Sequence, residues 1–256
     1  MTLAIEKLCL QRGERIVLDS ISARFDCGKL TAILGPNGAG KSTMLNCLAG
    51  LLQPDGGSAT LDGENIAALP QRQRAKAIGL LPQLGETHWA IRAEAIVALG
   101  RYQHRRGWGI DPADRIAIDS AMAATDTVQF AHRPVTTLSG GERARVLMAR
   151  VLAGEPRWIL ADEPLANLDP GHQMDMLALL HAEAKAGRGV IAVLHDLASA
   201  ARFADHTLLL HQGRIFAQGA PEDVMNSDNL RQVYGIAATT RRTPAGTLTV
   251  EIDGRA

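Results

Sequence analysis

One stretch limits what this chain can become. Gly35-Pro36-Asn37-Gly38-Ala39-Gly40-Lys41-Ser42-Thr43 fits G-x-x-x-x-G-K-[ST]. Leu30 to Leu34 before it is a short apolar run of strand type, and Met44, Leu45, Leu48 and Leu52 after it fall at helical spacing. The glycines therefore sit between a buried strand and a helix. Glycine lets the backbone turn tightly with its N–H groups facing inward, and the helix that follows adds the positive end of its dipole, so the loop suits a phosphate chain. Lys41 is placed to reach the β- and γ-phosphates of a nucleoside triphosphate, and Ser42 to ligate magnesium.

The remainder of the chain is compatible with such a core. At 256 residues and 46% hydrophobic content it can bury a sizeable interior. With 27 basic against 27 acidic residues it gives no global reason to expect nucleic acid as a partner. No apolar run approaches the ~18 residues of a spanning helix and no signal-peptide pattern opens the chain, so a cytoplasmic location is expected. Cys9, Cys27 and Cys47 follow no metal-ligand spacing and read as buried free thiols.

Taken in order, residues 3 to 25 predict two antiparallel strands around Arg12-Gly13-Glu14, and Ser58 to Leu61 a further short strand, giving a small sheet beside the nucleotide. A basic helical stretch from Gln71 to Lys76 leads into strand Ile78 to Leu81. From about 87 to 152 the pattern is helical, with segments Ile91 to Tyr102, Asp111 to about Thr127, and one opening at Ser139, read as an insertion into an α/β core. Strand pattern returns at Trp158 to Ala161 and at Val190 to Leu194. Between them Asp169 caps a helix with Met174, Leu177, Ala178 and His181 on one face. Asp196 caps the next helix, a hairpin turns at Gln212-Gly213, and one helix runs from Pro221 to near Gly235. Residues 241 to 256 read as a terminal strand pair or a frayed tail.

Two further segments carry chemistry. Trp158 to Ala161 is an apolar strand that ends in Asp162 and Glu163, and a carboxylate at the end of a buried strand is costly unless a cation or a reaction uses it. Alone, Asp162-Glu163-Pro164 is compatible with a solvated turn. Behind a phosphate loop, Asp162 suits magnesium and Glu163 the water that attacks the γ-phosphate. Leu138-Ser139-Gly140-Gly141-Glu142 contains a capping box in Ser139 and Glu142. The same serine with two glycine N–H groups at a helix start is also a second anion site without a lysine of its own, suited to a nucleotide held by another subunit.

Together with Gln83, Asn167-Leu168-Asp169 and His195, these motifs in this order resemble those of an ABC transporter ATPase subunit across residues 1 to about 235. The resemblance implies a P-loop NTPase core with a mostly parallel sheet and flanking helices, plus a small antiparallel β subdomain and an inserted helical subdomain. It divides the chain into one ATPase domain over 1–240, with core segments 1–86 and 153–240, a helical subdomain at 87–152 and a tail at 241–256. It implies ATP and Mg²⁺ as ligands, with Gly35 to Thr43, Gln83, Ser139, Gly140, Gly141 and Asp169 at the nucleotide. Ser42, Gln83 and Asp162 would stand at the metal, and Glu163 and His195 would act in hydrolysis. Two copies would face each other head to tail, Ser139 to Gly141 of one closing over ATP on Lys41 of the other and Asp169 bridging the half-sites. Gln83 would couple the site to permease subunits at the inner face of the membrane, served indirectly by an external substrate-binding protein.

Ala98-Leu99-Gly100-Arg101-Tyr102 followed by Arg105-Arg106-Gly107-Trp108, Ala161 to Gln173, and Val193 to Leu197 are similar to the iron-siderophore, haem and cobalamin importer branch, nearest the siderophore importers. The Arg101 to Trp108 stretch then faces the permease or lipid headgroups, or is a plain solvated face. Soluble ABC-type ATPases and non-catalytic nucleotide-binding scaffolds are the rival classes. The family's usual upstream aromatic, which stacks on adenine, is absent; Arg12 stands before Gly13, and its guanidinium plane is the expected substitute.

Overall fold

The computed structural model describes residues 2–83, 90–105, 111–244 and 246–256. The chain opens with a hairpin, β1 (Thr2–Arg12) and β2 (Arg15–Asp26), turning through Gly13 and Glu14. β3 (Leu30–Leu34) runs into the glycine loop and α1 (Lys41–Leu48). β4 (Gly56–Leu61) and β5 (Glu64–Asn65) complete an antiparallel sheet of order β2-β1-β4-β5. α2 (Gln71–Ala77) then leads into β6 (Ile78–Leu81).

The helical insertion holds α3 (Ala93–Ala98), α4 (Pro112–Ala124) and α5 (Gly140–Ala153). α3 is shorter than the predicted Ile91 to Tyr102. Arg92 bridges to Pro134, and residues 99–101 tighten into a 3₁₀ turn that includes Gly100, where a Cβ would stand 2.0 Å from the Arg150 carbonyl oxygen. α4 stops before Thr127 because Asp126 turns left-handed at φ 50° and the Thr127 N–H closes back onto the Met122 carbonyl at 2.9 Å.

The core resumes with β7 (Trp158–Asp162), α6 (Pro170–Lys185), β8 (Gly189–Val193), α7 (Leu197–Phe203), β9 (His206–His211) and β10 (Arg214–Gly219). The single helix expected after Pro221 is two, α8 (Pro221–Val224) and α9 (Ser227–Tyr234). Asn226 explains the break: its side chain donates to the Asp223 carbonyl and accepts from the Asn229 N–H, closing one helix and opening the next. The terminal segment is a strand pair, β11 (Ile236–Arg242) and β12 (Leu248–Arg255), so the division expected between 240 and 241 falls inside β11. Leu248 and Ala238 are buried against the rest of the chain.

The larger sheet has the order β10-β9-β3-β8-β7-β6, parallel except for the β10 edge. Both of its faces are dry. Leu30, Ala32 and Leu34 point into a core shared with the helices, whereas Ile33 points into a second core beneath the antiparallel sheet and α1. The same alternation holds for Ile159 and Ala161 against Trp158 and Leu160. Trp158 lies directly across from Gly189, whose missing Cβ would stand 2.2 Å from the indole ring.

Two sequence expectations about burial are corrected. The buried face of α6 is Met176, Leu177, Leu180 and Ala184, while Ala178 is exposed and Met174 and His181 only half-buried. α6 carries apolar residues nearly all round, so the sequence alone does not single out the packed stripe. Of the cysteines only Cys47 is buried, and burial pushes its thiol up to about 11. Cys9 and Cys27 are half-buried, and the Cys9 sulfur accepts from the Ser20 N–H at 3.3 Å.

Asp205, just before β9, ties the sheet to α6: it accepts from the Leu30 N–H at 2.9 Å and from Lys185 Nζ at 2.6 Å. Burial pushes this carboxyl up, but those two donors outweigh it and hold the group below the usual range. A depressed folded value gives stability that is present above the unfolded carboxyl's titration near pH ~4 and lost as pH falls through the folded value. Asp205→Asn should therefore cost about 1–2 kcal/mol at neutral pH, with the gap to the parent closing as urea denaturation is repeated below pH ~4.

Candidate nucleotide site

Register builds the site. Leu81, Ala161, Ala192 and Ala32 are neighbours across β6, β7, β8 and β3. A few residues beyond that row, at the carboxyl edge, the four strands deliver Gln83, Glu163, His195 and the loop that starts at Gly35. A parallel sheet commonly binds ligands at this edge.

These groups open on one cavity of about 580 Å³, lined by Arg15, Val17, Asn37, Gly38, Gly40, Lys41, Ser42, Thr43, Gln83, Glu163 and His195. Gly35, Pro36 and Ala39 shape the loop without lining the cavity. Gly35 has φ 146°, and a Cβ there would come 2.2 Å from the Leu210 carbonyl oxygen, while Ala39 turns into the core under the antiparallel sheet. Lys41 is buried, and its ammonium donates to the carbonyls of Gly35 (2.8 Å) and Pro36 (3.1 Å). Burial lowers the affinity of this amine for its proton, and the carboxylates of Glu163 and Asp162 oppose that.

Three side chains hold Glu163 and its neighbour. Gln83 Nε2 donates to Glu163 Oε2 at 2.9 Å, His195 Nε2 meets Glu163 Oε1 at 2.6 Å, and Ser42 Oγ donates to Asp162 Oδ1 at 2.9 Å. Glu163 has φ 49°, a left-handed conformation unusual for a non-glycine residue, which turns its side chain into the cavity where a strand continuation would not. Burial pushes the Asp162 carboxyl up, with Glu163 adding to that and the Ser42 hydroxyl opposing it.

The hydroxyl of Ser42, the carboxylate of Asp162 and the amide of Gln83 are hard oxygen donors, a set that fits magnesium. Among the described residues no three His, Cys, Asp or Glu side chains converge to hold a metal without other ligands.

Ser139, Gly140, Gly141 and Asp169 do not line this cavity. They gather at a second place. Ser139 and Glu142 form the capping box in full, with Glu142 Oε2 accepting from the Ser139 N–H at 2.8 Å and Ser139 Oγ from the Glu142 N–H at 3.2 Å. The Ser139 N–H holds the Glu142 carboxyl below the usual range, with Arg133 and Arg145 contributing. Asp169 caps α6 by accepting from the His172 N–H at 3.0 Å.

Two expectations about arginines are corrected. Arg12 does not line the cavity; Arg15, its cross-strand partner, does, and its Nη2 donates to the Gly38 carbonyl at 3.0 Å. The signal available in the sequence was the hairpin turn itself, which sets positions 12 and 15 opposite each other. Arg101 does not belong to a surface patch: it is 5% exposed, with Nε on Asp114 at 2.7 Å and Nη1 on Glu155 at 2.6 Å and the Ala153 carbonyl at 2.9 Å. Tyr102 is exposed as expected, and Arg106, Gly107 and Trp108 lie outside the described residues.

Comparison with known proteins places this geometry among relatives. Residues 18–166 match the family described as ABC transporter. The chain is 42% identical over 235 residues to the Hemin import ATP-binding protein HmuV of Rhodococcus jostii (strain RHA1), covering 92% of this chain and 80% of that protein. It is 40% identical over 235 residues to the Ferric enterobactin transport ATP-binding protein FepC of Escherichia coli (strain K12), covering 90% and 86%. Its fold matches the dimeric post-hydrolysis structure of the ATP-binding cassette MJ0796 bound to ADP and Pi, with a TM-score of 0.77, 27% identity, and 86% and 99% of the two chains covered.

Proposed function

Because the chain belongs to the ABC transporter family of ATPases, we propose that it is the ATP-hydrolysing subunit of an importer for an iron chelate. It works as a head-to-tail pair of copies at the inner face of a membrane, bound to permease subunits and served indirectly by an external substrate-binding protein. One observation carries this: Glu163 is clamped between Gln83 and His195 in the same cavity as Lys41 and Ser42, while Ser139 to Gly141 of the same chain stand outside it. A lone chain thus holds a phosphate loop without its second anion site and a second anion site without a phosphate loop. Two copies face to face complete both.

On this reading Lys41 and the loop N–H groups from Asn37 to Thr43 neutralise the phosphates, and Ser139, Gly140 and Gly141 of the second copy complete the cage. Ser42, Asp162 and Gln83 would hold Mg²⁺, which when bound draws charge from the phosphate oxygens. Glu163 orients the attacking water and accepts its proton, and His195 fixes the Glu163 carboxylate and hydrogen-bonds the γ-phosphate. Asp169 reaches across to the other half-site. No helix among the described residues is long and apolar enough to cross a membrane, and on this reading the path across it belongs to the permease subunits. Affinity capture of the tagged chain from solubilised membranes should bring down a polytopic permease; recovery of soluble partners alone would favour the non-transport ATPase.

The cargo reading is a ferric siderophore, in line with the Leu165 to Gln173 segment and the ferric enterobactin relative. Haem is the second reading, favoured by the hemin-import relative at 42% identity. A deletion strain supplied with individual ferric siderophores, haem or cobalamin as sole source separates them by which one no longer supports growth.

Arg15 is the proposed contact for the base. A guanidinium plane stacks on either purine, with cation–π worth about 0.5–2 kcal/mol. Arg15→Ala should weaken ATP and GTP binding alike by a factor of about 3–10, and Arg15→Tyr should raise the preference for ATP. Competition titrations in which Arg12→Ala lowers affinity and Arg15→Ala does not would remove Arg15 from that role.

A further inference from the structure

The second cluster contains a histidine that the proposed mechanism does not use. His172 lies in the first turn of α6, and its Nδ1 is 2.6 Å from Asp169 Oδ2 while its backbone N–H reaches Oδ1 of the same carboxylate at 3.0 Å. A carboxylate only accepts, so Nδ1 carries the proton. The imidazole also lies flat against the start of α5. A Cβ on Gly141 would stand 2.9 Å from His172 Nδ1, 3.1 Å from Cγ and 3.3 Å from Cε1. Beside it, a Cβ on Gly140 would stand 3.2 Å from the Asn167 carbonyl oxygen.

This contact joins two segments that are remote in sequence. Residues 163–169 run from Glu163 to the Asp169 cap through tight turns, with Glu163 and Asn167 both left-handed at φ 49° and 61°. The Ala166 N–H bonds the Glu163 carbonyl at 3.1 Å, and Gln173 Nε2 bonds the Leu168 carbonyl at 3.0 Å. The segment is therefore tied at both ends and through its middle. At its far end the ring of His172 is both the clasp on Asp169 and the floor under Gly141.

We infer that His172 is a positioning residue that sets the Ser139–Gly141 anion site from the Glu163–Asp169 segment of the same chain. The inference rests on the head-to-tail reading, since that anion site would serve the nucleotide of the other copy. A change at Glu163 then reaches the neighbour's phosphates through one imidazole. The glycine requirement at 141 has a second cause besides room for phosphate: any side chain there displaces the ring.

The test uses the full chain in a Glu163→Gln background, with ATP-driven dimerisation followed by light scattering and the nucleotide affinity of the monomer by titration with a fluorescent ATP analogue. His172→Ala should weaken dimerisation about tenfold while leaving monomer affinity within about twofold, because the Lys41 half-site is untouched. His172→Asn, whose Nδ2 stands where Nδ1 does, should recover most of the loss; His172→Gln, one methylene longer, should not. With Glu163 intact, His172→Ala should lower kcat with little change in KM. Equal dimerisation in the Ala, Asn and Gln variants would overturn the inference, as would parallel losses of monomer affinity and dimerisation. A Glu163→Gln parent that forms no dimer with ATP strikes the head-to-tail reading itself and removes the inference with it.

Discussion

Glu163→Gln should lower steady-state ATP hydrolysis by about 10²–10⁴-fold, the range expected for loss of a positioned general base, while ATP binding persists. The amide keeps the volume of the carboxylate and is still able to accept from Gln83 Nε2, so the clamp that holds position 163 in the wild-type chain is only partly disturbed. On the proposed mechanism, what is lost is the group that takes the proton of the attacking water. Bound ATP then persists, the two copies stay closed over it, and a nucleotide-bound dimer accumulates. Single-turnover kinetics with size-exclusion chromatography would read both effects, and an unchanged hydrolysis rate would refute the assignment of Glu163. His195→Ala should reproduce the rate defect in weaker form, because it frees one Glu163 oxygen and leaves the other on Gln83.

Arg101→Met should destabilise the protein by about 3–5 kcal/mol, since it leaves Asp114 as an uncompensated buried charge. Asp114 is only 2% exposed, and Arg101 is its partner at 2.7 Å. For a chain of this size that corresponds to a fall in melting temperature on the order of 10 °C. The double variant Arg101→Met, Asp114→Leu removes both charges and should regain most of the loss, as buried pairs replaced together by apolar groups are often neutral. The location makes the effect local in origin: Arg101 joins the turn after α3 to the first turn of α4 and, through the Ala153 carbonyl and Glu155, to the end of α5. Thermal denaturation of the two single variants and the double variant completes the cycle. Equal melting temperatures in the parent and Arg101→Met would show that the pair contributes nothing.

Legibility from sequence followed the range of the interactions. Strand boundaries and caps were readable because their causes are local: Asp169 and Asp196 cap the helices predicted for them, and Ser139 with Glu142 forms the box its spacing announces. That Gln83, Glu163 and His195 meet in one cavity was reachable only through the family resemblance, since Gln83 and Glu163 lie 80 residues apart and long-range parallel pairing leaves no local trace. That Arg15 and not Arg12 lines the cavity is not readable from the sequence, because it depends on how the hairpin tip leans over the glycine loop. The sequence reads Arg101 as a surface charge because nothing nearby announces its partners, which stand 13 and 54 residues away. His172 lies in a segment that carries the family resemblance, yet its contact with Gly141 depends on how the starts of α5 and α6 meet, which sequence spacing does not encode.

The notch of Gly189 under Trp158 has a consequence beyond packing. In a sheet with one wet face, polarity forbids a strand from sliding by one residue, because that turns its apolar side chains outward, but it does not forbid a slip of two. Here both faces are dry, and β7 could shift along β8 by two residues with its hydrophobic pattern intact. Size is then the safeguard: the largest side chain of β7 sits opposite the residue with none, and no other position in β8 offers that space. A two-residue slip toward the carboxyl edge would bring Ala161 where Glu163 now meets His195. The indole at the amino end of the strand thus keeps the alignment of the carboxylates at its other end.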